Sequence, residues 1–305
     1  MKDIFRYIID YFKSLNSKVF IACSLLGALM IYLNFHYGID LKIDEFDPVI
    51  VQFFCRYLVF LIAFALPYLF YFLFEGKNYF KSPLILLLIF LSPAIFSWKI
   101  VMNTDLHLSN NIYWDYYWNQ VTYWPIRLIL LSFILFIIWK IFYFKETFFG
   151  LTVKNFNWKP YLIMLLIMVP LIAAASTQPD FLSMYPKLKD VDTALSGVKY
   201  KWLYHLLHEL SYGSDFISVE LFFRGFLILA FVKVVGKDAI LPMACFYCTI
   251  HFGKPLGECI SSYFGGMLLG IVVYNTRSII GGLMVHLGIA WLMELGGYIG
   301  NSMFK

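Results

Sequence analysis

The chain has 305 residues, 61% of them hydrophobic and only 14% charged, with a mean hydropathy of +0.74. A soluble domain carries about 25% charge, so this composition excludes a soluble enzyme and implies an all-α, polytopic membrane helix bundle. The net charge of +5 is spread without a dense Lys/Arg tract, which argues against a nucleic-acid partner and leaves membrane lipid as the surrounding one.

The N-terminal "MKDIFRYIIDYFKSLNSK" is too charged for a signal peptide, and no small-residue cleavage site follows it. Ile4, Tyr7, Ile8, Tyr11, Phe12 and Leu15 recur at helical spacing, so residues 1–17 are expected to form an amphipathic helix at the membrane interface. Apolar runs long enough to cross about 30 Å of hydrocarbon follow near 18–35, 50–74, 83–98, 124–144 and 160–176. They make 18–176 a block of transmembrane helices, and 177–200, with Pro179 and Pro186, an extramembrane loop. Residues 201–305 then hold a helix over 198–212 at the membrane edge and runs near 217–235, 239–252, 258–274 and 278–295. Eight or nine spans are expected in all.

Loop charge orients the bundle. Lys2, Arg6, Lys13 and Lys18 precede the first span, Asp40, Asp44, Glu45 and Asp47 follow it, and Lys77 and Lys81 follow the second. Lys140, Lys145, Lys154 and Lys159 cluster around the end of the fourth, so the N-terminus is expected in the cytoplasm. Cys23, Cys55, Cys245, Cys248 and Cys259 mostly fall inside apolar runs and form no extracellular disulfide framework. Cys245, Cys248 and His251 read C-x2-C-x2-H, but on a continuous helix the outer two lie about 120° apart, poor geometry for a shared metal.

Ionisable groups concentrate in the second half, where an intramembrane charge is costly unless paired or hydrated. "DFISVELFFRGFL" holds Asp215, Glu220 and Arg224; "FYCTIHFGKPLGE" holds His251 and Glu258; "GGLMVHLGIAWLMELGG" holds His286 and Glu294. Glu220 and Arg224 are four apart, so on an α-helix they share a face and are expected to pair.

A Glu-x-x-x-Arg-Gly helix, an aromatic-x-x-x-His helix and a Gly-rich helix ending in His, in this order, resemble the CPBP family of intramembrane proteases. That family includes the type II CAAX prenyl endopeptidases and bacteriocin-processing enzymes. "ELFFRGFL" matches the first motif, Tyr247 and His251 the second, and His286 the third. The resemblance covers about residues 205–295, including the spacer "GGMLLGIVVYNTRSIIGGLMVH", and "FFGLTVKNFNWKPYL" resembles the lead-in to the family's core. It implies a CPBP-like core and hydrolysis by a water that a carboxylate and a His activate, with a second His stabilising the oxyanion. On that basis His251 is the expected base, His286 the oxyanion donor, and Glu220 a bracing carboxylate locked by Arg224. The resemblance leaves the cofactor open between none and a zinc held by His251 and His286. The substrate it implies is a membrane or lipidated peptide.

Two motif positions depart from the family. Its first Glu, the catalytic one, is Val219 here, and the Asn or Asp four after the last His is Ala290. Asp215, one helical turn before Val219, is the expected replacement carboxylate, with Glu209, Glu258 and Glu294 as auxiliaries. Two rival readings follow: a pseudoprotease that binds membrane partners without cutting them, and a secondary transporter, against which the hydropathy shows no inverted halves.

Overall fold

Helix ends follow the local chemistry of the sequence. In a computed structural model describing residues 2–154 and 156–303, every regular element among the described residues is helical. The helices α1 (Lys2–Lys13), α2 (Ser17–Tyr37), α3 (Ile39–Asp44), α4 (Val49–Glu75), α5 (Pro83–Val101), α6 (Ile112–Phe142) and α7 (Lys159–Ala175) come first. The Asn16 side chain caps α2 through the Lys18 N–H, and Asn111 caps α6 through those of Tyr113 and Trp114. Gly38 and Gly76 close α2 and α4 in the left-handed conformation, returning their N–H groups to orphan helix carbonyls.

The stretch expected as the loop 177–200 carries two short helices, α8 (Pro179–Met184) and α9 (Lys189–Asp192). Next is α10 (Lys201–Val219), which runs directly into a π-helical segment, Glu220–Ala230. The C-terminal part holds α11 (Val232–Val235), α12 (Ile240–Thr249), α13 (Leu256–Thr276) and α14 (Ile280–Met303).

Six of these are long and apolar enough to cross a membrane: α2, α4, α5, α6, α13 and α14. The Lys159–Ala175 and Pro179–Asp192 pair, bent by 98°, makes a seventh if counted as one span. The run expected near 239–252 is the ten-residue α12, about 15 Å long. The run near 217–235 is split between α10 and the π-helical segment.

The chain divides into two compact units. The first comprises Met1–Met102, Lys145–Leu151 and Phe222–Ile279. Its core is aromatic: the Phe96 ring lies 4.8 Å from Phe222 and 4.9 Å from Phe223, and Phe246 lies 5.0 Å from Phe60. These edge-on and tilted pairs fill volume that Leu could not fill alone. Helix α1 buries Ile4 and Tyr11 and leaves Phe5 and Ile9 exposed. At one end of this unit Lys77 Nζ lies 2.7 Å from the buried Asp238 carboxylate, to which Tyr79 O–H donates at 2.6 Å.

The second unit comprises Asn103–Phe144, Thr152–Leu221 and Ile280–Lys305. Here α10 lies along α6: Tyr117 O–H donates to the Tyr204 carbonyl at 2.9 Å, and Ser211 O–H to that of Val121. Trp124 packs edge-on against His208 and Tyr212. The C-terminal end of α14 is tied to the stretch after α8 by Asn301, whose amide donates to the Tyr185 carbonyl at 2.9 Å.

Candidate active site

The suspect polar side chains form two local arrangements, one in each unit. In the second unit Glu220 and His286 meet. Glu220 is 0% exposed, and its Oε1 lies 2.9 Å from His286 Nδ1. Two neighbours shape this contact. Phe216, one turn back on α10, sets its ring edge-on to the imidazole at 4.8 Å. Gly282, one turn before His286 on α14, leaves the space the carboxylate occupies, since a Cβ there would come within 2.7 Å of Glu220 Oε2. The acid of the first motif and the imidazole of the third are therefore partners.

The four-residue spacing that predicts a Glu220–Arg224 pair assumes an α-helix. The segment is π-helical, with bonds from i to i+5 and a little over four residues per turn, so residues four apart still fall close to one face. Such segments recur at functional sites because they re-aim side chains that an α-helix would space evenly.

In the first unit, Arg224, 0% exposed, places its guanidinium carbon 3.9 Å from the centre of the Tyr247 ring. A desolvated cation over an aromatic face is stabilised by roughly 2 kcal/mol. Tyr247 also contacts the His251 ring at 4.7 Å between centroids. His251 Nδ1 lies 3.1 Å from the Tyr247 carbonyl oxygen. A carbonyl only accepts, so Nδ1 carries the hydrogen and Nε2 of the neutral ring keeps its lone pair.

The remaining candidates serve other contacts. Asp215 is half-buried on α10, accepts from Ser218 O–H at 3.2 Å and interacts electrostatically with Arg127. Glu294 holds the chain after Pro186: it accepts the backbone N–H of Lys187 at 2.9 Å and of Leu188 at 3.4 Å. Glu209 interacts with it electrostatically. Glu258 lies in the first turn of α13, where a carboxylate favours the helix dipole. Val219 and Ala290, at the departing motif positions, are packed at 7% and 2% exposure.

Metal ligation was tested against the donor set. Cys245 Sγ points to the Cys23 carbonyl, Cys248 Sγ to that of Cys259 and His251 Nδ1 to that of Tyr247. Among the described residues no three His, Cys, Asp or Glu side chains are grouped to hold a metal. The described donors therefore do not make up a zinc site.

Sequence reasoning named Glu220, Arg224, Tyr247, His251 and His286. It did not assign Tyr247 as the platform for Arg224, nor Phe216 and Gly282 as shapers of the acid–imidazole contact. The signals were present, since Phe216, Tyr247 and Gly282 each lie four residues before Glu220, His251 and His286 respectively.

Residues 215–292 match the family described as Type II CAAX prenyl endopeptidase Rce1-like, and all three motifs lie inside that segment. The match supports assigning this part of the chain to the CPBP/CAAX protease family. No curated protein and no solved structure matches the chain.

Proposed function

We propose that this chain, whose residues 215–292 are of the CAAX protease family, is an intramembrane endopeptidase cleaving a membrane-associated or lipidated peptide with an activated water. The observation that carries the reading is the 2.9 Å contact between a fully buried Glu220 and His286, which joins the first and third motifs. A buried carboxylate is costly unless paired, and a doubly protonated His286 ring would serve as that partner. In that form Nε2–H is left to donate to the oxyanion that develops as water attacks a peptide carbonyl. His251, held as the Nδ1–H tautomer by the Tyr247 carbonyl, is the proposed base, through its Nε2. Asp215 is the proposed stand-in for the acid absent at Val219; its place one turn back on α10 and its partial burial support this role.

In the same reading the protein crosses the bilayer eight or nine times with its N-terminus in the cytoplasm. The crossings beyond the six long apolar helices come from α7, from α10 with the π-helical segment and, for a ninth, from α12.

A second reading, a pseudoprotease that binds membrane peptides without cutting them, is favoured by the apolar, packed Val219 and Ala290. The test is hydrolysis by purified protein in lipid vesicles, offered lipidated and transmembrane peptides. Glu220→Gln, His251→Ala and His286→Ala are each expected to lower kcat/KM by roughly 10²-fold or more. Equal cleavage by parent and His251→Ala ends the enzyme reading; binding without cleavage by the parent selects the pseudoprotease.

A further inference from the structure

His251 does not lie within α12; it lies in the turn that follows, and the first unit grips that turn from outside the family-matched segment. We infer that Asn34, Asp40 and Arg56 are positioning residues for His251, an inference that rests on reading His251 as the base.

The turn has only weak support of its own. The N–H groups of His251, Phe252 and Lys254 bond to the carbonyls of Cys248, Thr249 and His251 at 3.1, 3.3 and 3.0 Å. The Phe252 carbonyl accepts from Asn34 Nδ2 at 3.0 Å. Asn34 is 3% exposed, near the end of α2, and its Oδ1 accepts the Asp40 N–H at 2.9 Å. One of these partners can only accept and the other can only donate, so the amide has one orientation. The Asn34 main-chain oxygen also accepts from Gly38, so one residue ties the end of α2, the start of α3 and the His251 turn.

Asp40 also borders the turn. Arg56 Nη1, on α4, donates to Asp40 Oδ1 at 2.6 Å, while its Nη2 pairs with Asp44. The other oxygen of Asp40 would lie 2.8 Å from a Cβ at residue 253, so only glycine fits that position without moving the carboxylate. With the turn bonded by Asn34 and bordered by the Asp40 carboxylate, the His251 ring stays over Tyr247 with Nδ1 at the Tyr247 carbonyl. Released, the turn could rotate the ring away from that carbonyl, and the two neutral tautomers would become similar in energy.

The test reads the ring itself, in ¹⁵N-histidine-labelled full-length protein in lipid nanodiscs. Asn34→Asp keeps size and the acceptor for Asp40 N–H but sets oxygen against the Phe252 carbonyl. Gly253→Ala displaces the Asp40 carboxylate. Asp44→Asn touches Arg56 but not the turn. In the parent, His251 ring shifts are expected to report a dominant Nδ1–H tautomer. Its excess is expected to fall roughly fivefold or more in Asn34→Asp and Gly253→Ala, one buried hydrogen bond's worth, and to stay unchanged in Asp44→Asn. With a cleaved peptide in hand, kcat falls in the first two variants while KM holds. Folded Asn34→Asp or Gly253→Ala protein with the parent's ring shifts overturns the inference, and if one variant does not fold the other decides. A parent that cleaves nothing removes the peptidase reading, and the tautomer ratio still upholds or overturns the grip.

Discussion

Glu220 has no room to adjust, and that makes its neighbour Gly282 a sensitive position. The carboxylate is wholly enclosed, one oxygen is at His286 Nδ1, and the other lies where a Cβ of residue 282 would project. Gly282→Ala is therefore expected to push the carboxylate off the imidazole and cost about 1.5–3 kcal/mol, the range for a hydrogen bond to a charged group. Chemical unfolding in detergent micelles measures it. Gly265→Ala is the control: nothing lies within 4 Å of a Cβ there, so its effect should stay within about 0.5 kcal/mol. The acid and the imidazole are both visible in the sequence as charges in apolar runs. Their partnership is not, because a motif states spacing along one helix, whereas this contact joins α14 to the residue that follows α10.

At the scale of elements, the π-helical segment and the turns that flank it decide how the motif residues are aimed. The 3-10 turn Gly236–Ala239 after α11 is fixed through Asp238 to the loop between α4 and α5. Burial by itself lowers the Lys77 ammonium, yet the hydrogen bonds and charges of Asp238 and Glu75 outweigh it and hold the group above its usual 10.5. The same carboxylate, after burial, raises the Tyr79 phenol. A cation raised in the folded state stabilises the fold fully below its unfolded value, and the contribution fades as pH climbs through the folded one. Asp238→Asn is thus expected to cost about 1–2 kcal/mol near pH 8, discounted for the part-exposed lysine, and to flatten the loss of stability as pH rises above the usual lysine value. Unfolding curves across that pH range check both the size and the sign. Periodicity marks these helices well, but not the switch from i+4 to i+5 bonding, which packing of Phe222, Phe223 and Phe226 in the aromatic core accompanies.

At the scale of the molecule, the first unit has two chemically different ends. One gathers Lys237 with the Ser14 carbonyl at 2.5 Å, Lys77 with Asp238, and Lys233 with Glu146 at 2.8 Å. The other holds Arg56 with Asp40, and Asn34 with the turn after His251. Under the proposed orientation the first end is cytoplasmic, so the His251 turn opens toward the opposite face. Single cysteines at Glu45 and Gly257 are then expected to react with a membrane-impermeant maleimide in intact cells, and those at Lys81 and Lys233 only after permeabilisation. The reverse pattern inverts the orientation and with it the side from which a peptide arrives.

Composition alone determined that this chain is a helical membrane protein, because hydrocarbon admits no backbone that fails to satisfy its own hydrogen bonds. The three charged motifs pointed the proposed chemistry to the C-terminal third, because unpaired charge is costly in that setting. Only the tertiary structure decided which charge meets which: Glu220 with His286, Arg224 with Tyr247, and Asn34 with the carbonyl after His251. Those pairings join residues 23 to 218 positions apart, or follow a change of helical type, and neither distance through space nor helical register is written in local sequence.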